Sequence, residues 1–323
     1  MIPCYLAGTG SLLPGRRVTT AELAREVRPD AKPGYIEART GIQTRYWASA
    51  ETPLADLAAE ALTRALDAAN MAATELDRVI LANCTGAEWA FPAVSNHLCA
   101  ALGLKGSCGC VTINNACMGF VTAFDMAARF VATGTGPVGV VAAELCSRHI
   151  SPKEPRPYLV FGDGLGAAVI KPSKRGGVLA SYLANDGSLG GNAVLANPSL
   201  TGQGEHIRFP KSNRAMTELA VASLVRATEG ALKRASLTMD DIDWVLPHQP
   251  NGSMFDRMVE ALNVPVSRTV RVVDEIGSVG SAAIAISLDR LVRSGRVAPG
   301  QRILLVGVGS GVAYGALVYE VPA

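Results

Sequence analysis

A thiol stands at Cys117 in the stretch NNACMGF, and an imidazole stands at His248 in the stretch VLPHQPN. Cys117 follows small and polar residues and precedes Gly119-Phe120, which opens an apolar helix. A sharp strand-to-helix turn with an exposed nucleophile is expected there. Unpaired N–H groups at a helix start favour negative charge, so the position predicts a thiolate and a lowered thiol pKa. An arbitrary cysteine is more often a core residue, and Cys4, Cys84, Cys99, Cys108, Cys110 and Cys146, in apolar patterns, are read that way. His248 directly follows the strand pattern DWVL, which Pro247 stops. It opens a polar His-Gln-x-Asn cluster at the carboxyl end of the strand, where α/β sheets place their sites. A histidine there can act as a general base or a hydrogen-bond donor; the competing reading is a plain loop histidine. His97, His149 and His206 are read as structural. The run GVGSGVAYG (307–315) leads into a strand rather than a helix, which argues against a dinucleotide loop. It predicts close backbone approach to a substrate, with an N–H near Ser310 as an oxyanion donor. The histidines are scattered and CGC at 108–110 is the only close cysteine pair, so no metal site is expected.

The elements that must position these residues come in two related sets. ALDAANMAATELDRVILAN (65–83) and ALKRASLTMDDIDWVLPHQ (231–249) each read as the end of an amphipathic helix, a loop and a buried strand. Ala65, Leu66, Ala69, Asp77 and Val79 match Ala231, Leu232, Ala235, Asp243 and Val245. Further on, Gly119, Arg129, Val131 and Gly134 match Gly280, Arg290, Val292 and Gly295, in small-residue helices that each end at a glycine cap. Each is followed by an apolar strand and then a Gly-rich turn into another strand. The alternation points to an α/β fold with mainly parallel sheets, duplicated about a pseudo-two-fold axis, with halves 1–172 and 173–323. The duplication sets Ser278 opposite Cys117, each at the start of its helix and facing one central cavity.

The bulk properties narrow the function classes. A chain of 323 residues, 49% hydrophobic and 18% charged, supports a large core. The formal net charge of +2, without a long basic block, does not predict a nucleic-acid partner. The longest apolar runs, such as VGVVAAELC, are too short to span a bilayer. MIPCYLAGTG reads as a strand rather than a signal peptide. Seven cysteines, an odd number, without a secretion signal predict reduced thiols in the cytoplasm.

In order along the chain, YIEARTGIQTRYW, AFPAVSNHLCAALGL, NNACMGF, FGDGLGAAVI, PHQPN and GSGVAYGA resemble the motifs of the thiolase superfamily, specifically its β-ketoacyl-(acyl carrier protein) synthase III branch. The resemblance implies the duplicated, five-layered αβαβα thiolase-like fold. It implies that Cys117 accepts an acyl group from a CoA or carrier-protein thioester and that His248 assists the second substrate. The N–H groups of Cys117 and Ser310 would form the oxyanion hole. Tyr35, in place of the usual Trp, and Arg39 match the pantetheine or CoA entrance, and Asn251 closes the His-Gln-x-Asn motif. Phe91 matches a residue that reaches into a partner's acyl pocket, implying a homodimer. No cofactor is implied beyond acyl-CoA or acyl-carrier-protein thioesters as substrates.

Two departures bear on the reaction. Ser278, in IGSVGSAA, stands where the family has a catalytic Asn, and Gly252-Ser253 stand where a basic residue often faces the carrier protein. Loss of one oxyanion donor costs roughly 2.7–4 kcal/mol. The leading expectation is Claisen-type acyl transfer to carbon in a specialised fatty-acid or polyketide-related route. The alternatives are transfer to an oxygen or nitrogen acceptor, and a non-catalytic subunit of a heterodimeric synthase.

Overall fold

Alternation along the central strands sorts their side chains into separate cores. In the computed structural model, which describes residues 1–202 and 206–322, Val79 and Leu81 face one apolar cluster while Ile80 and Ala82 face another. In the second half, Ile303 and Leu305 join the cluster of Ile80, whereas Leu304 and Val306 join a third. A strand buried on both faces reads as a continuous apolar run, which is why these segments carry no polar alternation.

The strands are β1 (Ile2–Leu12), β2 (Arg16–Thr19), β3 (Thr44–Trp47), β4 (Arg78–Ala82), β5 (Gly109–Ile113), β6 (Val138–Leu145), β7 (Asp163–Asn185), β8 (Trp244–Pro247), β9 (Arg302–Gly309) and β10 (Ala313–Glu320). The helices of eight residues or more are α1 (Thr20–Val27), α2 (Leu54–Ala68), α3 (Val94–Ala101), α4 (Gly119–Ala132), α5 (Asn213–Ala235), α6 (Gly252–Ala261) and α7 (Ala282–Arg293). The strand order β5-β4-β6-β7-β10-β9-β8, with β1 on β7, is two sheets sharing β7. Asp163–Ile170 pair with β6, Leu165–Pro172 with β1, and Gly177–Asn185 with β10. Between them residues 173–176 leave the ladder, since Pro3 faces Gly177 while Cys4 faces Pro172.

Helices α4 and α7 lie between the two sheets and share one core with Phe120, Phe124 and Tyr319 stacked edge to face. Helices α2 and α3 cover the outside of the first sheet, and α5 and α6 the outside of the second. The layers are therefore α, β, α, β, α, as expected, but the sheets are not mainly parallel: among the described residues β4–β5, β4–β6 and β8–β9 run parallel, whereas β1–β7, β6–β7, β7–β10, β9–β10 and β2–β3 run antiparallel, because hairpin-like returns through β7 and β10 join the parallel units. The duplication is legible in detail at the offset of the first matched block. Asn70 and Ser236 both take left-handed backbone after their helices, at φ 51° and 57°. Asp77 accepts the Gly136 N–H at 2.6 Å, and Asp243 accepts the Arg302 N–H at 2.8 Å. The predicted glycine caps follow α4 and α7, Gly134 at φ 100° and Gly295 at φ 68°.

Candidate active site

The stretch NNACMGF folds as a turn because its asparagines tie it at both ends. Asn114 Oδ1 accepts the Ala116 N–H at 3.1 Å, and Asn115 Nδ2 donates to Thr122 Oγ1 on the first turn of α4 at 2.9 Å. Ala116 sits at φ 46°, a left-handed conformation that costs an L-residue roughly 1–2 kcal/mol. The next residue, Cys117, is thereby thrown out of the strand direction and stands half-buried ahead of Gly119. The strand end carrying Gly309 closes over it: a Cβ on Gly309 would lie 2.9 Å from the Cys117 backbone nitrogen. The glycine-rich run thus admits the Cys117 turn itself, not only a substrate as the sequence suggested.

His248 extends the β8 ladder, its N–H donating to Val306 O at 2.8 Å. Gln249, read at first only as part of a polar cluster, is fully buried and fixes this corner. Its Nε2 donates to Val270 O at 2.8 Å, and its Oε1 accepts the N–H groups of Val272 and Val273 at 2.9 and 3.1 Å. Asn251 caps α6, its Oδ1 accepting the Met254 N–H at 2.9 Å. Ser278 is held through its backbone by two bonds to the 160–162 segment, Ser278 N–H to Val160 O at 2.8 Å and Gly162 N–H to Ser278 O at 2.9 Å. That segment is anchored by Asp163, which accepts from Ala48 N and from the N–H and hydroxyl of Ser147. Ser310 begins a short 3-10 turn, and its hydroxyl donates to Ala193 O at 2.6 Å.

One cavity of about 700 Å³ brings these residues together. Cys117, His248, Ser278 and Ser310 line it, as do Asn251, Tyr35 and Arg39. His248 and Ser278 are buried, whereas Tyr35 and Arg39 are exposed, with the Arg39 guanidinium 5.8 Å from the Tyr35 ring centroid. The cavity therefore runs from an aromatic and cationic mouth to a thiol and an imidazole. Phe91 does not line it. Phe91 is 88% exposed on the segment between β4 and α3, near the exposed Trp89.

Two expectations are corrected. The helix after Ser278 starts only at Ala282, so Ser278 lies two residues further from its helix than Cys117 does from α4. Gly277 at φ 70° and Gly280 at φ 52° insert the extra bend. The thiol of Cys117 is also not lowered in pKa. Burial, with the Glu144 carboxylate nearby, pushes it up to about 12. Burial pushes His248 down to about 4, and its Nδ1 is buried without a hydrogen-bond partner. Both shifts disfavour moving the proton from this thiol to this imidazole. The resting pair is thus a thiol and a neutral imidazole, not an ion pair.

Glu144 on β6 was not singled out in the sequence. It is fully buried and receives the Ser281 hydroxyl at 2.5 Å, the Cys84 thiol at 3.1 Å and the Cys84 N–H at 3.2 Å. Cys84 accordingly lies in a turn beside a carboxylate, not in the apolar pattern assigned to it. The one signal for Glu144 was a lone acid in the run VGVVAAEL. Among the described residues no cluster of His, Cys, Asp or Glu could hold a metal ion, and no helix is long and apolar enough to cross a membrane.

Family models for 3-oxoacyl-(acyl-carrier-protein) synthase III match residues 111–187, and for the C-terminal part of that enzyme residues 232–321. The fold is similar to that of the synthase III of Aquifex aeolicus at 30% identity and a TM-score of 0.90, covering 98% of this chain and 99% of that one. It is similar to that of the Pseudomonas aeruginosa enzyme at 27% identity and 0.90, covering 99% of each. A priming β-ketosynthase of a polyketide biosynthetic pathway matches at 31% identity and 0.91, over 99% of this chain and 96% of its own. Fold and site together define a thiolase-like acyltransferase. Within that class, the chain belongs to the 3-oxoacyl-(acyl-carrier-protein) synthase III family of condensing enzymes.

Proposed function

We propose that the protein loads an acyl group onto Cys117 from a CoA or carrier-protein thioester and transfers it to a carbon nucleophile in a Claisen-type condensation. The observation that carries this is the single cavity joining Cys117 and His248 to the Tyr35–Arg39 mouth. In the first step the Cys117 sulfur bonds to the acyl carbon and the donor's carbon–sulfur bond breaks. The thiol proton leaves with the departing thiol. The N–H groups of Cys117 and Ser310 hold the oxyanion. In the second step the acceptor's α-carbon loses carbon dioxide or a proton while neutral His248 donates a hydrogen bond to its thioester oxygen; that carbon bonds to the acyl carbon, the Cys117 carbon–sulfur bond breaks, and the thiolate released takes up a proton.

The imidazole separates the carbon acceptor from the oxygen or nitrogen alternative. Held near 4, His248 is a poor general base towards a hydroxyl, which requires a base near the working pH. A donor to an enolate-like oxygen needs only the neutral ring. Ser278 makes room beside His248 for a bulky acceptor, consistent with a specialised pathway and not with fatty-acid initiation. The exposed Phe91 completes the acyl pocket of a second copy in a homodimer, and the free thiols suit a reducing cytoplasm. The test is to incubate the enzyme with acyl-CoA and then malonyl-carrier protein, following Cys117 by intact-protein mass spectrometry. An adduct on Cys117, absent in Cys117→Ala and retained in Cys84→Ala and Cys146→Ala, followed by carbon–carbon product, supports the reading. Persistence of the adduct in Cys117→Ala, or transfer only to hydroxyl or amine acceptors, overturns it.

A further inference from the structure

Glu144 is a carboxylate buried between the two helix starts that the site depends on. Its hydrogen bonds come from Ser281 at the head of α7, from Cys84 after β4 and, at 3.5 Å, from Asn83 Nδ2. Every donor is neutral, and among the described residues no cation pairs with it. The carboxylate is wedged against the Ser278 loop, where a Cβ on Gly280 would lie 3.2 Å from Glu144 Cγ. Ser281 in turn abuts the start of α4, where a Cβ on Gly119 would lie 3.2 Å from Ser281 Cβ and 3.4 Å from its Oγ. Cys117 lies two residues before Gly119. The nucleophile thus stands one layer of side chains from a buried anion that no positive charge offsets.

We infer that Glu144 and Cys117 form a coupled acidic pair, in which Glu144 is a positioning residue that sets the pH at which Cys117 becomes a thiolate. Two like charges in a buried site cannot both form cheaply. While Glu144 is ionised, Cys117 stays a thiol; while Glu144 is neutral, the thiolate meets no opposing charge. The electrostatics agree in direction: burial raises Glu144 to about 7, and Glu144 contributes to the upward shift of Cys117. The groups facing this pair are the half-buried Cys84 after β4 and the buried Cys146 after β6, both thiols held well above their ordinary range, Asp163 at the start of β7, which acts on Cys146, and, in the cavity with Cys117, His248, which burial keeps neutral. Asp163 is itself raised by burial and is linked to Arg148. None of these supplies a cation to Glu144.

This inference concerns the same nucleophile as the proposed reaction, but its test does not require that reaction. The rate of iodoacetamide alkylation of Cys117 is followed against pH by mass spectrometry of the Cys117 peptide, in wild type, Glu144→Gln, Glu144→Ala, Glu144→Asp and Ser281→Ala. Glu144→Gln should lower the midpoint by at least about one pH unit and raise the rate at pH 7.5 about tenfold. Glu144→Asp, which keeps the charge, should remain near the wild-type midpoint. Ser281→Ala leaves the carboxylate charged where Cys117 titrates and should stay near the wild-type midpoint. Glu144→Ala also removes the charge and decides the matter if Glu144→Gln does not fold. An unchanged midpoint in whichever of these two Glu144 variants folds overturns the inference. Absence of acyl transfer in wild type, with the midpoint shift present, would instead overturn the proposed reaction and leave the pair standing.

Discussion

His248 acts on the second substrate and not on the thiol, because a ring held near 4 cannot draw a proton from a thiol held near 12. His248→Ala is expected to leave Cys117 acylation within a few-fold of wild type and to slow the second half-reaction by 10² or more. Single-turnover measurements of each half-reaction check this; a loss confined to acylation would show that His248 activates the thiol. Buried titrating groups also shape stability against pH, in opposite directions. His248 is depressed from 6.5 to about 4, so its contribution is present above 6.5 and lost as pH falls through 4. Glu144 is raised from 4.5 to about 7, so its contribution is present below 4.5 and lost as pH rises through 7. Each is worth on the order of 3 kcal/mol at its limit. Glu144→Gln should therefore flatten the decline in denaturant stability between pH 5 and pH 8. An unaltered slope would show that the carboxyl is not neutral in the folded protein. Cys117 and His248 could be found from sequence because each sits at a junction between local patterns. Glu144 could not, because its environment is assembled from residues 83, 84 and 281, far apart in the chain.

At the scale of elements, the corner after β8 depends on one amide. Gln249→Leu leaves Val270 O and the N–H groups of Val272 and Val273 without their buried partner, a cost of roughly 3 kcal/mol or more. Urea unfolding should show that loss together with weakened second-step turnover, since His248 is its neighbour. The Ser278 turn allows a sharper comparison. If it makes room for a bulky acceptor, Ser278→Ala should be nearly neutral and Ser278→Asn should reduce native turnover. If it is a weak oxyanion donor, Ser278→Ala should lower the second step by up to about tenfold and Ser278→Asn should raise malonyl decarboxylation. Measuring both activities in both variants separates the two, and the first pattern is expected. The helix ends were readable from Gly134 and Gly295, which require left-handed backbone. The register of the helix starts was not. Gly277 and Gly280 look like any loop glycines in one dimension, yet they shift Ser278 by two residues relative to Cys117.

For the molecule as a whole, the five layers follow from strands that bury both faces; the motifs that resemble the synthase III branch implied them, whereas the apolar runs of β4 and β9 marked only buried strands. The remaining question at this scale is the exposed aromatic segment. Trp89 and Phe91, at 65% and 88% exposure, form an aromatic surface that a second copy would cover in the proposed homodimer. A dimer is expected in sedimentation velocity, with Phe91→Asp weakening it or altering the chain lengths that Cys117 accepts. A wild-type monomer would count against the shared pocket. The shared strand β7 has a different kind of consequence, one of assembly order. The first sheet closes when residues 163–172 pair with β1 and β6, both of which precede them in synthesis. The second sheet has no free-standing edge of its own making: β10 must find Gly177–Asn185 already laid down. The nucleophile turn is therefore synthesised before the imidazole that works beside it, and the strand end at Gly309 that closes over Cys117 comes later than both.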